Sequence, residues 1–127
     1  DAERFAVKLQ EITRACPGLF VNVRTDTFLL NVQDALVQTL YRGQLYAKHG
    51  ACGFFVPCVT RAEDITAIVH HVPLPVMCMP ELADFSTLST LGVKRISMGN
   101  FIYAATQARL KDLLCQVQTQ HSFSGVF

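Results

Sequence analysis

Apolar positions along this chain switch between two periods. Residues 2–15 place Ala2, Phe5, Ala6, Leu9, Ile12 and Ala15 at helical spacing, with Glu3, Arg4, Lys8, Glu11 and Arg14 on the opposite face. Pro17-Gly18 stops that helix. A short apolar run follows, Leu19-Phe20-Val21-Asn22-Val23, and ends in Arg24-Thr25-Asp26. Because it is apolar on both alternating sets, it predicts a strand covered on both faces, as in a parallel sheet.

The alternation then repeats. Residues 32–48 read as a helix closed by Gly50, and residues 53–57 as a second strand. Residues 61–71 form a helix, opened by a capping box of Thr60 with Glu63, and residues 75–79 form a third strand. A short helix over 82–91 ends at Gly92. Residues 95–98 make the fourth strand, 100–119 the last helix, and the tail from His121 has no clear period. Four strands, each followed by a helix and joined by short loops, predict an α/β fold of parallel βα units. No G-x-G-x-x-G follows any strand, so the dinucleotide fingerprint of the doubly wound sheet is missing. The remaining architecture is a (β/α)8 TIM barrel, which needs eight strands and about 250 residues. With 127 residues the expectation is a single domain that is half of such a barrel.

Composition sharpens this expectation. Half of the residues are apolar and only 17% are charged, against a usual charged share of about 25%. Disorder is excluded, and part of the apolar surface is expected to face another subunit or a further segment. The formal net charge of +1 argues against a nucleic-acid platform. No apolar run reaches the ~18 residues of a membrane span. The first residues, Asp-Ala-Glu-Arg, lack the basic and apolar stretches of a signal peptide. Five cysteines at irregular spacing predict free, mostly buried thiols in a reducing cytoplasm.

Candidate chemistry belongs at the strand ends, where parallel α/β folds carry their sites. Arg24 leaves an otherwise apolar strand, and its planar fork suits a carboxylate or phosphoryl group. An internal salt bridge, with Asp26 for example, is the alternative. Cys58 follows the second strand, but no histidine lies nearby in sequence to activate it, so a structural role is expected. Met77, Cys78 and Met79 read as core. His70 and His71 are adjacent on a helix and cannot share one metal ion, and His49 reads as a helix-end residue. Gly99, before the last helix, allows close approach to free backbone N–H groups that could hold an anion, while Asn100 offers a plain helix cap instead. No carboxylate cluster for a divalent metal is legible at any strand end.

Several segments carry a resemblance, in order: Asn22-Val23-Arg24-Thr25-Asp26, Arg42-Gly43-Gln44-Leu45-Tyr46 and Gly50-Ala51-Cys52-Gly53-Phe54-Phe55-Val56-Pro57. Leu74-Pro75-Val76 and Leu91-Gly92-Val93-Lys94-Arg95-Ile96-Ser97-Met98-Gly99 continue the series. The set resembles the isocitrate lyase/phosphoenolpyruvate mutase superfamily, with the nearest likeness to phosphoenolpyruvate phosphomutase-like proteins. The resemblance implies a (β/α)8 barrel with Mg²⁺ that acts on C–C or P–C bonds of a small 2-oxo acid or phosphonate through a metal-stabilised enolate. It aligns these strands with the fifth to eighth, Arg24 with the substrate-binding arginine, and the metal carboxylates with a first half outside this sequence. Lyases of the family carry a glutamate, and mutases a histidine, where Pro57 stands. The third-strand asparagine appears as Met77. Both departures point away from isocitrate or methylisocitrate lyase activity. The chain is therefore expected to contribute Arg24 and the Gly99 region to a site completed elsewhere, and not to catalyse alone. The alternative is a non-catalytic half-barrel, and on either reading self-association or pairing with a complementary half is expected.

Overall fold

The computed structural model describes residues 1–73, 76–78 and 84–127, and for Met77 and Cys78 the backbone alone. It consists of two compact units, 1–97 and 98–127. In the first unit the elements are α1 (Ala2–Ala15), β1 (Asn22–Arg24), α2 (Ala35–Lys48), β2 (Gly53–Val56), α3 (Ala62–His71), β3 (Val76–Cys78), α4 (Phe85–Thr90) and β4 (Arg95–Ile96). All four strands are parallel and stand in the order β1-β2-β3-β4. The expected α/β class of parallel βα units is borne out. Successive strands are neighbours and the order never reverses, so right-handed crossovers carry the connecting helices to one face. In keeping with this, α1 packs on α2 and α2 on α3.

The core lies between that helical layer and the sheet. Val23, Phe54, Val56 and Val76 from the strands meet Ala2, Ala6, Leu9, Tyr46, Ile65 and Ile68 from the helices. Phe54 is fully buried, which removes on the order of 2–3 kcal/mol of apolar surface cost from the folded state. Gly43 is what lets α2 come this close. A Cβ there would lie 2.6 Å from Val72 Cγ2 and 3.0 Å from Phe54 Cε1.

Several boundaries differ from expectation, each for a local reason. The apolar run 19–23 is not a strand covered on both faces: Leu19 and Phe20 are exposed and lead into β1, which begins at Asn22 and includes Arg24. The helix expected from residue 32 begins at Ala35, because Asn31 and Asp34 adopt left-handed backbone with φ of 48° and 54°. The Thr60 capping box does not form; Arg61 is the N-cap of α3, without a side-chain cap bond. The helix expected over 82–91 spans Phe85–Thr90 where described, and its N-cap Asp84 accepts from the Thr87 N–H at 2.8 Å. The ends of the expected third strand, Pro75 and Met79, the start of that helix, and the core role assigned to Met77, Cys78 and Met79 lie outside the described residues or side chains. The fourth strand closes at Ile96, two residues early. Among the described cysteines, Cys16, Cys52, Cys58 and Cys115 form no disulfide, as expected. None of them is buried, contrary to expectation: Cys16 and Cys115 are exposed and the other two half-buried.

The second unit is α5 (Phe101–Gln120) with the turns around it. Gly99 has a φ of 52° in the turn before the helix, and Asn100 is its N-cap residue without a side-chain cap bond. No helix among the described residues is long and apolar enough to cross a membrane.

Candidate functional site

β1 ends on Arg24, and the chain stays tied to the sheet for one more residue, since the Thr25 N–H donates to the Phe55 carbonyl at 3.0 Å. Arg24 pairs in register with Phe55, and its guanidinium carbon stands 5.7 Å from the centre of that ring. Its Nε donates to Asp26 Oδ1 at 2.6 Å. The salt bridge with Asp26 weighed as an alternative therefore exists. It is not internal, however, because the two side chains are 50% and 41% exposed. The pair sets the guanidinium's orientation while leaving part of the fork open to a ligand.

Beyond β1 the chain makes a tight turn, buried at its start and exposed from Leu29 onward. Thr25 and Thr27 are buried, the Leu30 N–H donates to the Asp26 carbonyl at 2.8 Å, and the Val32 N–H donates to the Thr27 carbonyl at 3.1 Å. The Thr27 and Thr39 hydroxyls bond each other, and Thr39 donates to the Ala35 carbonyl at 2.7 Å. A hydroxyl has one proton, so Thr27 is the donor to Thr39. This chain of bonds fastens the β1–α2 loop to the first turns of α2.

The loop, α2 and the start of α1 enclose a cleft of about 510 Å³, within the range of small-molecule sites. Arg24, Thr25, Asp26 and Thr27 enter from the strand end, Gln38, Arg42 and Tyr46 from α2, and Asp1 and Phe5 from α1. Tyr46 is buried, and the edge of its ring meets Phe5 at 5.1 Å between centres, with 74° between planes. Arg42 Nη1 donates to the Tyr46 hydroxyl at 3.3 Å. At the outer side of the same helices the Tyr41 hydroxyl donates to Glu3. That bond holds the Glu3 carboxyl below, and the Tyr41 hydroxyl above, their ordinary ranges.

The cleft can bind and orient an anion. Among the described residues its lining includes no histidine or cysteine. Among the described residues, no group of three or more His, Cys, Asp or Glu is placed to hold a metal ion. The one carboxylate beside Arg24 is already engaged by it. These residues do not fit a Mg²⁺ site by themselves.

Of the two residues expected to bind substrate, Arg24 lines this cleft and Gly99 lies in the second unit. His49 is the C-cap residue of α2, with Nδ1 2.8 Å from the Leu45 carbonyl. His70 and His71 close α3, with His71 Nδ1 2.8 Å from the Ala67 carbonyl. His49 keeps the helix-end role read from the sequence, and His70 and His71 stand in the last turn of their own helix. Cys58 follows β2 with a φ of 61° and is half-buried. The sequence names Arg42 and Tyr46 only within a segment that carries the resemblance, and gives neither them nor Gln38 a site role, because their spacing is that of an ordinary amphipathic helix. The one signal to be had was an arginine one turn before a buried tyrosine.

Comparison with known proteins extends this picture. The phosphoenolpyruvate phosphomutase family matches residues 1–118. An uncharacterised protein of Mycobacterium tuberculosis (strain ATCC 25618 / H37Rv) is 34% identical over 109 residues, 83% of this chain and 41% of that protein. An oxaloacetate decarboxylase of Pseudomonas fluorescens (strain SBW25) is 31% identical over 114 residues, 86% of this chain and 38% of the enzyme. Among solved structures, a candidate phosphonomutase from Burkholderia cenocepacia J2315 superposes with a TM-score of 0.81 at 32% identity, covering 91% of this chain and 51% of that one. A phosphonopyruvate hydrolase, solved in complex with oxalate and Mg²⁺, superposes with a TM-score of 0.79 at 18% identity, covering 99% of this chain and 47% of the hydrolase. At that identity the likeness is one of fold. The chain spans 38–41% of the length of the two curated relatives and about half of the two solved chains.

Proposed function

The chain belongs to the phosphoenolpyruvate phosphomutase family, within the isocitrate lyase/phosphoenolpyruvate mutase superfamily, and from that premise we propose that it is the C-terminal half of a (β/α)8 barrel acting on a small 2-oxo acid. The complete site breaks or forms a C–C or P–C bond beside a carboxylate. Oxaloacetate and phosphonopyruvate, named for the relatives, are the model substrates. The unreversed order of four parallel strands and the coverage of about half or less of each relative support the half-barrel reading.

Arg24 is the observation that carries the proposal. It stands at the end of β1, half-exposed, oriented by Asp26, and lining a cleft of small-molecule size. Its role is to take the substrate carboxylate by two parallel hydrogen bonds and to fix the 2-oxo acid's orientation. Gly99, in the turn before α5 of the second unit, is proposed as an anion contact in its own right. Mg²⁺ would supply charge stabilisation to the developing enolate, and its ligands are carboxylates that this chain does not provide among its described residues. On this reading the chain is not expected to catalyse alone.

The test is oxalate binding with Mg²⁺, measured by calorimetry on a longer protein that contains this segment, alongside turnover of oxaloacetate and phosphonopyruvate. Arg24→Ala and Arg24→Lys are expected to abolish binding. Unchanged affinity overturns the assignment.

A second reading, a non-catalytic half-barrel that pairs with another copy or a complementary half, draws on the exposed apolar side chains at Leu19, Phe20, Leu30 and Val37. Sedimentation of the isolated chain tests pairing with another copy, and a folded monomer at micromolar concentration refutes that pairing.

A further inference from the structure

The sheet has a second face, turned away from the core, and on it two arginines each lie over a phenylalanine. Val21, Val23, Phe54, Val56 and Ile96 pack toward the helices, so the residues that alternate with them, Phe20, Arg24, Phe55 and Arg95, point the other way. Phe20 precedes β1 yet keeps to this face, since a Cβ on Gly53 would meet its ring at 3.4 Å. The registers Arg24↔Phe55, Phe55↔Met77 and Met77↔Arg95 set the two arginines in one row, on the two edge strands. Arg24 stands over Phe55 and is paired with Asp26. Arg95 stands over Phe20, its guanidinium carbon 5.8 Å from the ring centre, and forms no ion pair among the described residues. Lys94 beside it is exposed, as Arg95 is, and Phe20 is 57% exposed. The β4 edge thus presents two adjacent cations and an apolar ring.

We propose that this edge docks an acidic strand: the segment that continues the sheet beside β4 sets an aspartate or glutamate against Arg95 and apolar side chains over Phe20. The inference rests on the half-barrel reading and names the chemistry of the strand that closes the barrel. Once a strand lies beside β4, Arg95 loses its access to solvent, and a cation so enclosed needs an opposite charge. Stacking on Phe20 orients the guanidinium, which leaves its fork ready for the two oxygens of a carboxylate. A second copy of this chain does not supply that charge. β4 has only two residues, so pairing it with a two-fold copy brings the Lys94 and Arg95 cations of both chains together, which is destabilising. The relatives have about half or more of their length beyond the matched part, ample for such a strand.

The test is made on a longer protein that contains this segment. In its Arg95→Lys variant, a carbodiimide is expected to couple the new amine to a carboxylate outside residues 1–127. Mass spectrometry reads the linked peptides, with fragment ions separating position 95 from Lys94, and Arg95→Gln gives the background. Arg95→Glu is expected to lower the urea midpoint by more than Arg95→Gln does, because it sets two like charges together. A link from position 95 to an acid within residues 1–127 of the same chain overturns the proposal, as does no link above background. Equal urea midpoints for Arg95→Glu and Arg95→Gln overturn it too. These three results leave the half-barrel reading standing. That reading falls together with the proposal if mixed isotope-labelled and unlabelled protein shows position 95 linked to residues 1–127 of another copy. The cross-link is read at a conservative substitution, so the outcome does not depend on whether Arg95→Glu folds.

Discussion

Arg24 Nε donates to Asp26 Oδ1 at 2.6 Å, across a single intervening residue, while both side chains stay about half open to solvent. A pair so exposed contributes little to folding, because solvent screens the attraction and two side chains lose freedom to form it. Arg24→Ala and Asp26→Ala are each expected to lower the unfolding free energy by less than about 1 kcal/mol. Urea titration followed by circular dichroism checks this. A much larger loss would make the pair a structural fastening and remove the reason to read Arg24 as a ligand residue.

The Thr27–Thr39 bond is a different case, because both residues are buried and the proton count fixes the direction. Thr39 donates to the Ala35 carbonyl, so Thr27 donates to Thr39. Thr39→Val leaves the Thr27 O–H without an acceptor and is expected to cost about 1–3 kcal/mol. The double variant Thr27→Val/Thr39→Val removes donor and acceptor together and is expected to recover part of that loss. Additive losses in the double-mutant cycle would show that the two hydroxyls are not coupled.

Gly43 tests the packing of α2 on the sheet. In an open helix, alanine would be preferred over glycine by about 1 kcal/mol. Here the added Cβ would lie 2.6 Å and 2.8 Å from the two γ-methyls of Val72 and 3.0 Å from Phe54. Val72 is β-branched and buried, so it has little room to turn away. Overpacking of this kind costs about 1–3 kcal/mol, and Gly43→Ala is expected to be destabilising overall. A raised midpoint in thermal unfolding would mean that α2 stands off the sheet more than these distances indicate.

How much of this was legible depended on whether a residue's role was local. Four strands and their helices were read from period alone, because Phe54, Val56, Ile65 and Ile68 are buried by virtue of that period. Boundaries slipped where apolarity and backbone disagreed. Phe20 is as apolar as a strand residue yet lies outside β1, and Val32 fits a helical period yet sits between two left-handed residues, Asn31 and Asp34. Arg24 was legible because a cation at the end of an apolar run is conspicuous. Arg42 was not, since an arginine on an amphipathic helix is ordinary until Tyr46 and Phe5 close around it. The family was legible from ordered segments, whereas the cleft needed α1, the β1–α2 loop and α2 brought together.

The tie between α1 and α2 makes the chain's stability depend on pH at both ends of the scale. The Tyr41 hydroxyl donates to Glu3, and this bond is the leading cause of the lowered Glu3 pKa and of the raised Tyr41 pKa. A lowered carboxyl pKa contributes stability that is present above the unfolded value of 4.5 and is lost as pH falls through the lower folded value. A raised phenol pKa contributes stability that is present below the unfolded value of 10.0 and is lost as pH rises through the higher folded value. The tie is therefore whole between those two limits, and Tyr41→Phe removes the alkaline dependence and weakens the acid one by deleting the donor. Urea midpoints measured across the pH range are expected to fall at both extremes in the parent, and to fall less steeply in Tyr41→Phe. Parallel curves for the two proteins would show that other groups carry the pH response.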